Sequence, residues 1–397
     1  MKTIIKEILK KNLTSEKRLK IYFKFPTNVN KIHSIFKKNG FELYPIGGSV
    51  RDMLLNVTPK DFDLVTNATP DNVINLLKNQ EFVTNILETG KAFGVVNVIT
   101  TDGEYEIATM RKDIGSSDGR RPDYVEFSDI KSDVLRRDFS VNALFYDMDT
   151  QEVVDLVGGI VDLKNSVIRT VGKSEDRFSE DKLRKLRGIR LAGRFGSGLD
   201  PDVDAALQQD ASLEGISGER IRDEFIKGLI SAKSTDAYLL MLDKYKLFDW
   251  IFPNLDVDTR VFRRNSDYKA DDYIVLLARL LKGNNVDVLR KKLNDLKYSS
   301  DEIKAIVFLI SLLKLDVDTA YLLKKVQQTS GVSNDQIRNF GSNEGISSQL
   351  LDAFEEFRLT VTGPEAMEKF NIGPGPELGK AIQKMETDKF KKLLGLS

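Results

Sequence analysis

The 397-residue chain contains no cysteine, one histidine and one tryptophan, and it carries no net charge, with 60 basic residues balanced by 60 acidic ones. Without cysteine there are no disulfides, thiolate zinc sites or cysteine nucleophiles, although this leaves the compartment open. With His33 alone, histidine triads and multi-histidine metal sites are excluded. His33 falls in a lysine-rich, helical-looking stretch, Lys31–Lys38, and reads as an ordinary surface or core residue. Any metal must therefore be held by Asp and Glu oxygens, a donor set that suits Mg²⁺. A zero balance argues against a uniformly basic nucleic-acid binder but leaves room for a local basic groove. No apolar run approaches a membrane span, and Met1–Lys20 lacks the patterns of signal and transit peptides. A soluble cytoplasmic protein is expected.

What is present changes character near residue 165. Before it, strand-like runs at Leu43–Ile46, Asp63–Val65, Gly94–Ile99 and Glu104–Met110 alternate with helical Ser49–Leu55 and Val73–Lys78. After about Glu175, helical periodicity predicts amphipathic helices over Asp181–Phe195, Glu219–Ile230, Ala237–Phe248, Asp272–Lys282, Asp301–Leu313 and Gln349–Phe357. The run Gly373–Pro376 introduces a last short helix, and Trp250 reads as core or helix-end packing. The expected fold is α+β. A helical extension over 1–25 precedes a mixed-sheet domain over 26–165, a helical neck over 166–235, and a helical body and tail over 236–397.

The densest chemical signal is Tyr44–Asn67. A strand runs into Gly47-Gly48, a short helix follows, and Lys60–Val65 reads as a second strand carrying Asp61 and Asp63. The glycines let backbone approach a bulky anion, and the following helix start offers free N–H groups to a triphosphate. On a strand, residues two apart share a face, so both carboxylates converge with Phe62 and Leu64 behind them. Converging carboxylates repel unless a cation joins them, which is what metal-assisted phosphoryl transfer requires. Glu106, in alternating Glu104–Arg111, is a candidate third carboxylate and reads equally well as an exposed strand glutamate.

Further blocks follow in order: Arg136-Arg137-Asp138-Phe139-Ser140-Val141-Asn142-Ala143, then Asp155–Gly172, Glu180–Phe195 and Ser217–Phe225. Together with the glycine and aspartate segment, these resemble the ordered motifs of polymerase beta-type nucleotidyltransferases. More narrowly they resemble the bacterial and eukaryotic (class II) CCA-adding enzymes and their poly(A) polymerase relatives. The resemblance spans roughly residues 40–256. It implies catalytic Asp61, Asp63 and Glu106, with Mg²⁺ on Asp61 and Asp63. It also implies nucleotide binding by Gly47, Gly48, Arg51, Arg111, Arg137, Asp138, Asn142, Asp181, Arg184, Arg187 and Arg190. The implied partners are CTP, ATP and the tRNA 3′ end with its acceptor stem, with neither DNA nor membrane involved.

Residue chemistry is compatible with these roles. Arg136 and Arg137 can balance phosphate charge, Asp138 can accept from a ribose hydroxyl, and Asn142 can cap or touch the sugar; a capped helix with solvated arginines has the same pattern. Asp181 and Arg184, i and i+3 on a helix, would present an acceptor and a donor on one face. Cytosine and adenine both offer an amino donor beside a ring-nitrogen acceptor, whereas uracil and guanine offer the reverse, so the pair would accept C and A; an ordinary surface salt bridge has the same spacing. Lys182, Lys185, Arg187, Arg190 and Arg194, and the tail lysines near Lys389–Lys392, can track RNA phosphates or be solvated. Lys112–Val125 reads as a Gly/Ser-rich loop with Asp118-Gly119-Arg120-Arg121-Pro122; the resemblance makes it the segment needed for the final A. Gly188 and Gly193 stand where the resembled family commonly has alanine. The leading reading is addition of CCA to tRNA. An A-adding or poly(A)-adding relative and an inactive RNA-binding scaffold are the alternatives.

Overall fold

The computed structural model describes residues 17–114, 124–262 and 272–396. The chain divides into two compact units, Met1–Gly215 and Ile216–Ser397. The boundary falls inside the segment expected to form the neck.

In the first unit, an eight-stranded mixed sheet runs in the order β1-β10-β9-β2-β3-β6-β5-β4. Its strands are β1 (Lys17–Lys20), β2 (Leu43–Ile46), β3 (Phe62–Thr66), β4 (Val83–Leu87), β5 (Val95–Thr100), β6 (Gly103–Thr109), β9 (Phe145–Asp147) and β10 (Glu152–Asp155). β3 and β6 are parallel; the other pairings are antiparallel. β7 (Arg111–Ile114) and β8 (Tyr124–Phe127) form a separate antiparallel ribbon. The ends of the expected loop at 112–125 are therefore strands, and Asp118 to Pro122 lie outside the described residues. The expected helical extension over 1–25 is corrected in its last part: Lys17–Lys20 is an edge strand paired with β10.

The two sheet faces differ. Leu64, Val96, Val98, Tyr105 and Ile107 point into a core closed by α1 (Thr27–Lys38) and α3 (Pro70–Leu77), which contribute Val29, Ile32, Phe36, Val73 and Leu77. His33 belongs to α1, with Nε2 3.6 Å from Asp149. On the opposite face, Ile46, Val65, Phe145 and Val154 join a smaller core with Val134 and Val171. The polar residues of that face lie along β3, β6 and β5. Strand alternation thus separates a structural face from a chemical one.

Short helices α2 (Gly48–Leu54) and α4 (Ile130–Leu135) lie between β2 and β3 and between β8 and β9, and α5 (Gly159–Asn165) follows β10 and leads on to α6 (Ser174–Glu180), α7 (Leu183–Phe195) and α8 (Pro201–Gln209). Asp155 braces the entry to α5: Oδ1 accepts from the N–H groups of Val157, Gly158 and Gly159, and Oδ2 from that of Ile160.

The second unit is helical in its described residues. Helix Gly218–Ser231 packs Phe225 against Phe252 with ring centroids 5.3 Å apart. Gly228 faces Tyr238, where an added Cβ would lie 2.2 Å from the ring, so only glycine admits this approach. Helix Tyr273–Leu281 is buried from Ile274 to Leu281 and carries Arg279, paired with Glu344 at 3.0 Å. The expected helix Ala237–Phe248 is interrupted: Thr235–Lys244 ends before a separate turn of helix, Phe248–Ile251. Trp250, on that turn, is 36% exposed and belongs to the surface rather than the core. The last helix, expected to be short, runs 18 residues from Pro376 to Leu393. Among the described residues no helix is long and apolar enough to cross a membrane.

Candidate active site

The parallel register of β3 and β6 sets Asp63 beside Glu106, and the antiparallel register of β6 and β5 sets Glu106 beside Asn97. These residues form one row on the chemical face. Asp61 lies just before β3 rather than within it, yet Asp61, Asp63 and Glu106 all reach solvent. Partial burial raises the Asp63 pKa, the charge of Asp61 raises it further, and Arg137 partly offsets both. Glu106 is likewise raised, first by burial, then by Asp63, against Arg111 and Arg137. The three carboxyls are therefore close enough to repel one another. Among the described residues no group of three or more acidic or histidine side chains is gathered tightly enough to hold a metal by itself. Mg²⁺ does not need such a cage, because it keeps waters and takes substrate phosphates alongside one or two carboxylates. The all-oxygen donors and their mutual repulsion fit such an ion.

Gly47 borders this row. Its φ of +73° favours glycine, and its N–H donates to the Leu144 carbonyl at 2.9 Å. A Cβ there would lie 3.5 Å from Arg137 Nη1 and 4.0 Å from Asp63 Oδ2. The glycine backbone, one guanidinium and one carboxylate thus meet at a single place. Arg51 does not stand open beside them. It is buried, donates to Asp52 through Nε and Nη2 at 2.9 and 2.8 Å, and donates through Nη1 to Asn142 Oδ1. Gly48 lies against the same guanidinium.

The Arg136-Arg137-Asp138 block is anchored by a residue that the sequence reading passed over. Asp133, fully buried, accepts from Arg136 through Oδ1 and from Arg137 through Oδ2. The signal was present: Asp133, Arg136 and Arg137 are spaced i, i+3, i+4. Burial opposes the Asp133 charge, but the two arginines outweigh it and hold its pKa low. Asp138 behaves alike. Burial is again the largest influence, overcome by Arg187, the Phe139 N–H and Arg184. Arg187 Nη2 lies 2.7 Å from Asp138 Oδ2, and Asn142 Nδ2 donates to Oδ1 at 3.3 Å. Arg111, at the start of β7, donates to the Phe93 carbonyl.

The Asp181–Arg184 geometry is corrected. Asp181 is not on the helix: with φ −149° and ψ 103° it separates α6 from α7, and its Oδ1 accepts from the Leu183 N–H at 3.0 Å. The two residues remain on one turn, joined by the Arg184 N–H to the Asp181 carbonyl at 3.0 Å. The Arg184 guanidinium donates to Glu180 Oε2 at 2.5 Å and to the Arg177 carbonyl at 3.1 Å. Arg190 is half-buried on α7. Lys185, a candidate RNA contact, is 2% exposed and donates to Asp210 and to the Ser212 carbonyl, both at 2.9 Å, so it is structural. Gly188 lies against Phe139, 3.0 Å from an added Cβ, which accounts for glycine there.

A mixed sheet presenting paired carboxylates beside a glycine turn defines a nucleotidyltransferase head, and comparison with known proteins agrees. Residues 43–169 match the family described as the poly A polymerase head domain, and residues 198–259 match the probable RNA and SrmB-binding site of polymerase A. A CCA-adding enzyme of Lactobacillus helveticus is 31% identical over 368 residues, covering 87% of this chain and 88% of that protein. That of Leuconostoc mesenteroides is 31% identical, with the same coverage of each. The crystal structure of the Bacillus stearothermophilus CCA-adding enzyme in complex with CTP superposes with a TM-score of 0.71 at 24% identity, covering 92% of both chains. The chain belongs to the CCA-adding enzyme family of nucleotidyltransferases.

Proposed function

We propose that this chain adds C, C and A to the 3′ end of tRNA, using CTP and ATP. Similarity to CCA-adding enzymes across 87% of the chain carries this reading. In each step the RNA 3′-hydroxyl passes its proton to solvent and attacks the α-phosphorus, and the bond to the departing pyrophosphate breaks. Asp61 and Asp63 would hold Mg²⁺, which when bound supplies the positive charge that favours the alkoxide and the leaving group. Glu106 stands next to them as a third carboxylate. Gly47, Gly48 and Arg137 receive the triphosphate. Asp138, with Asn142, orients the ribose. Asp181 accepts from the base amino group and Arg184 donates to the ring nitrogen, exchanging its bond to Glu180 for one to the base. Arg187 and Arg190 line the nucleotide side of α7. Arg51 acts behind the glycines and Arg111 beside Glu106. Residues 17–165 act as head and 166–235 as neck, while 236–397 hold the RNA in the cytoplasm.

The test is incorporation of CTP and ATP, separately and together, on tRNA transcripts ending before the first C, after it, and after the second. Two Cs followed by one A and a stop support the reading. A lone A on the CC-ending transcript makes this an A-adding enzyme, and a long A ladder makes it a poly(A) polymerase. Arg184→Ala should lose discrimination against UTP and GTP; unchanged discrimination would remove Arg184 from base reading.

A further inference from the structure

Asp52 has no part in the roles assigned above, yet it is 6% exposed and both of its oxygens are engaged. Oδ1 accepts from Arg51 Nε and Nη2 at 2.9 and 2.8 Å, and Oδ2 accepts from Arg194 Nη2 at 2.8 Å. Arg51 lies on α2, directly behind Gly47-Gly48, whereas Arg194 lies in the last turn of α7. Both guanidiniums also sit over the Phe195 ring, at 4.9 and 5.2 Å from its centroid. One carboxylate therefore binds two cations that would otherwise repel.

The connections close into a circuit. From Arg51, Nη1 donates to Asn142 Oδ1, Asn142 Nδ2 donates to Asp138 Oδ1 at 3.3 Å, and Asp138 Oδ2 returns to α7 through Arg187 at 2.7 Å. Arg187 and Arg194 are about two turns apart on one side of α7. The helix is thus pinned at two points, through Asp138 and through Asp52, to the segment that carries the glycine turn.

We propose that Asp52 is a specificity-positioning residue: it clamps α7 to the glycine turn, so that the groups facing the base and those facing the triphosphate keep one register. This rests on the proposed reading of the base from the α7 side. Asp52 touches no substrate. Its removal leaves two guanidiniums against one ring without their counter-ion, the costly way to break a buried pair. A helix freed at one end displaces its polar groups relative to the phosphates, and a displacement of about 1 Å is worth up to about a hundredfold in rate.

The experiment compares Asp52→Ala, Asp52→Asn, Arg194→Gln and Arg184→Ala. It measures kcat and KM for CTP against UTP on the transcript ending before the first C, and for ATP against GTP on the transcript ending after the second. Asp52→Ala should lower the ratio of kcat/KM for correct over incorrect nucleotide by about tenfold, with Asp52→Asn between it and wild type. Partial unfolding scales all four nucleotides alike and leaves the ratios unmoved. Arg194→Gln breaks the same contact at its more exposed end; it decides the matter if Asp52→Ala does not fold. Combined with Asp52→Asn it should add little further loss. Unchanged ratios in the Asp52 and Arg194 variants, with ratios altered by Arg184→Ala, overturn the clamp alone. Ratios altered by Asp52→Ala but not by Arg184→Ala remove Arg184 from base reading and leave the clamp standing. If neither moves them, both assignments fall.

Discussion

Two sets of acidic residues in the first unit are in opposite electrostatic states. Asp61, Asp63 and Glu106 reach solvent and repel one another, and the pKa values of Asp63 and Glu106 are raised. Asp133 and Asp138, in the neighbouring motif, are each joined to arginine and have lowered pKa values. The first set is offset only in part by Arg137 and Arg111, so an added cation would relieve the repulsion that remains. The second set is already neutralised, so both residues hold side chains in place, and the ribose role proposed for Asp138 comes in addition to that. Uncompensated charge marks where something must arrive, and compensated charge marks what must not move.

The largest expected contrast is in the chemistry. Asp63→Ala should lower transfer of both C and A by about a thousandfold or more, roughly 4 kcal/mol of transition-state stabilisation, while leaving folding intact. Single-turnover assays with circular dichroism check both halves, and retained transfer would end the metal assignment. Asp133→Ala should do the reverse. It leaves Arg136 and Arg137 without their buried partner and should cost about 3 kcal/mol of stability, read by urea unfolding. A variant as stable as wild type would remove the anchoring role.

The pH dependence of stability should separate the two sets further in metal-free protein. Asp133 and Asp138 have depressed folded pKa values, so their contribution is full above the unfolded value of about 3.9 and is lost as pH falls through the folded values. Asp63 and Glu106 have elevated values, so they cost stability at neutral pH, and that cost is relieved as pH falls through them toward about 4. Asp63→Asn should therefore melt above wild type at pH 7, with the gain shrinking on acidification. Asp138→Asn should melt below it, with a deficit that closes only under about pH 4. Parallel curves for the two variants would erase the distinction. The smallest effect belongs to Gly188→Ala. A helix-propensity gain of about 1 kcal/mol meets the Phe139 ring at 3.0 Å, and the net change in thermal unfolding should stay within about 1 kcal/mol of zero.

The exposed set was legible in the sequence because its signal is local. Glycines, a short helix and Asp61-Phe62-Asp63 fall within about twenty residues, and strand alternation alone assigns faces to Asp63 and Leu64. The partnership of Asp63 with Glu106 was less legible, since it depends on the pairing of strands some forty residues apart. The compensated set was only partly visible. Asp133 declares itself through helical spacing, but the link from Asp52 to Arg194 spans 142 positions and leaves no periodic trace. Periodicity also ran unbroken through Asp181, where the backbone leaves the helix; an aspartate just ahead of a basic helical run, the residue type favoured at helix starts, was the available clue. The edge strand Lys17–Lys20 and its neighbour Glu152–Asp155 are four residues each, too short to show alternation without their partners.

The most direct test of the contrast is thermal unfolding of the wild type and Asp63→Asn, each titrated with CTP in the presence and absence of Mg²⁺. The account expects Mg²⁺ to enlarge the CTP-induced stabilisation of wild type and to add little in Asp63→Asn, because the uncompensated carboxylates hold the ion that joins the triphosphate. An equal Mg²⁺-dependent increment in both proteins would contradict it.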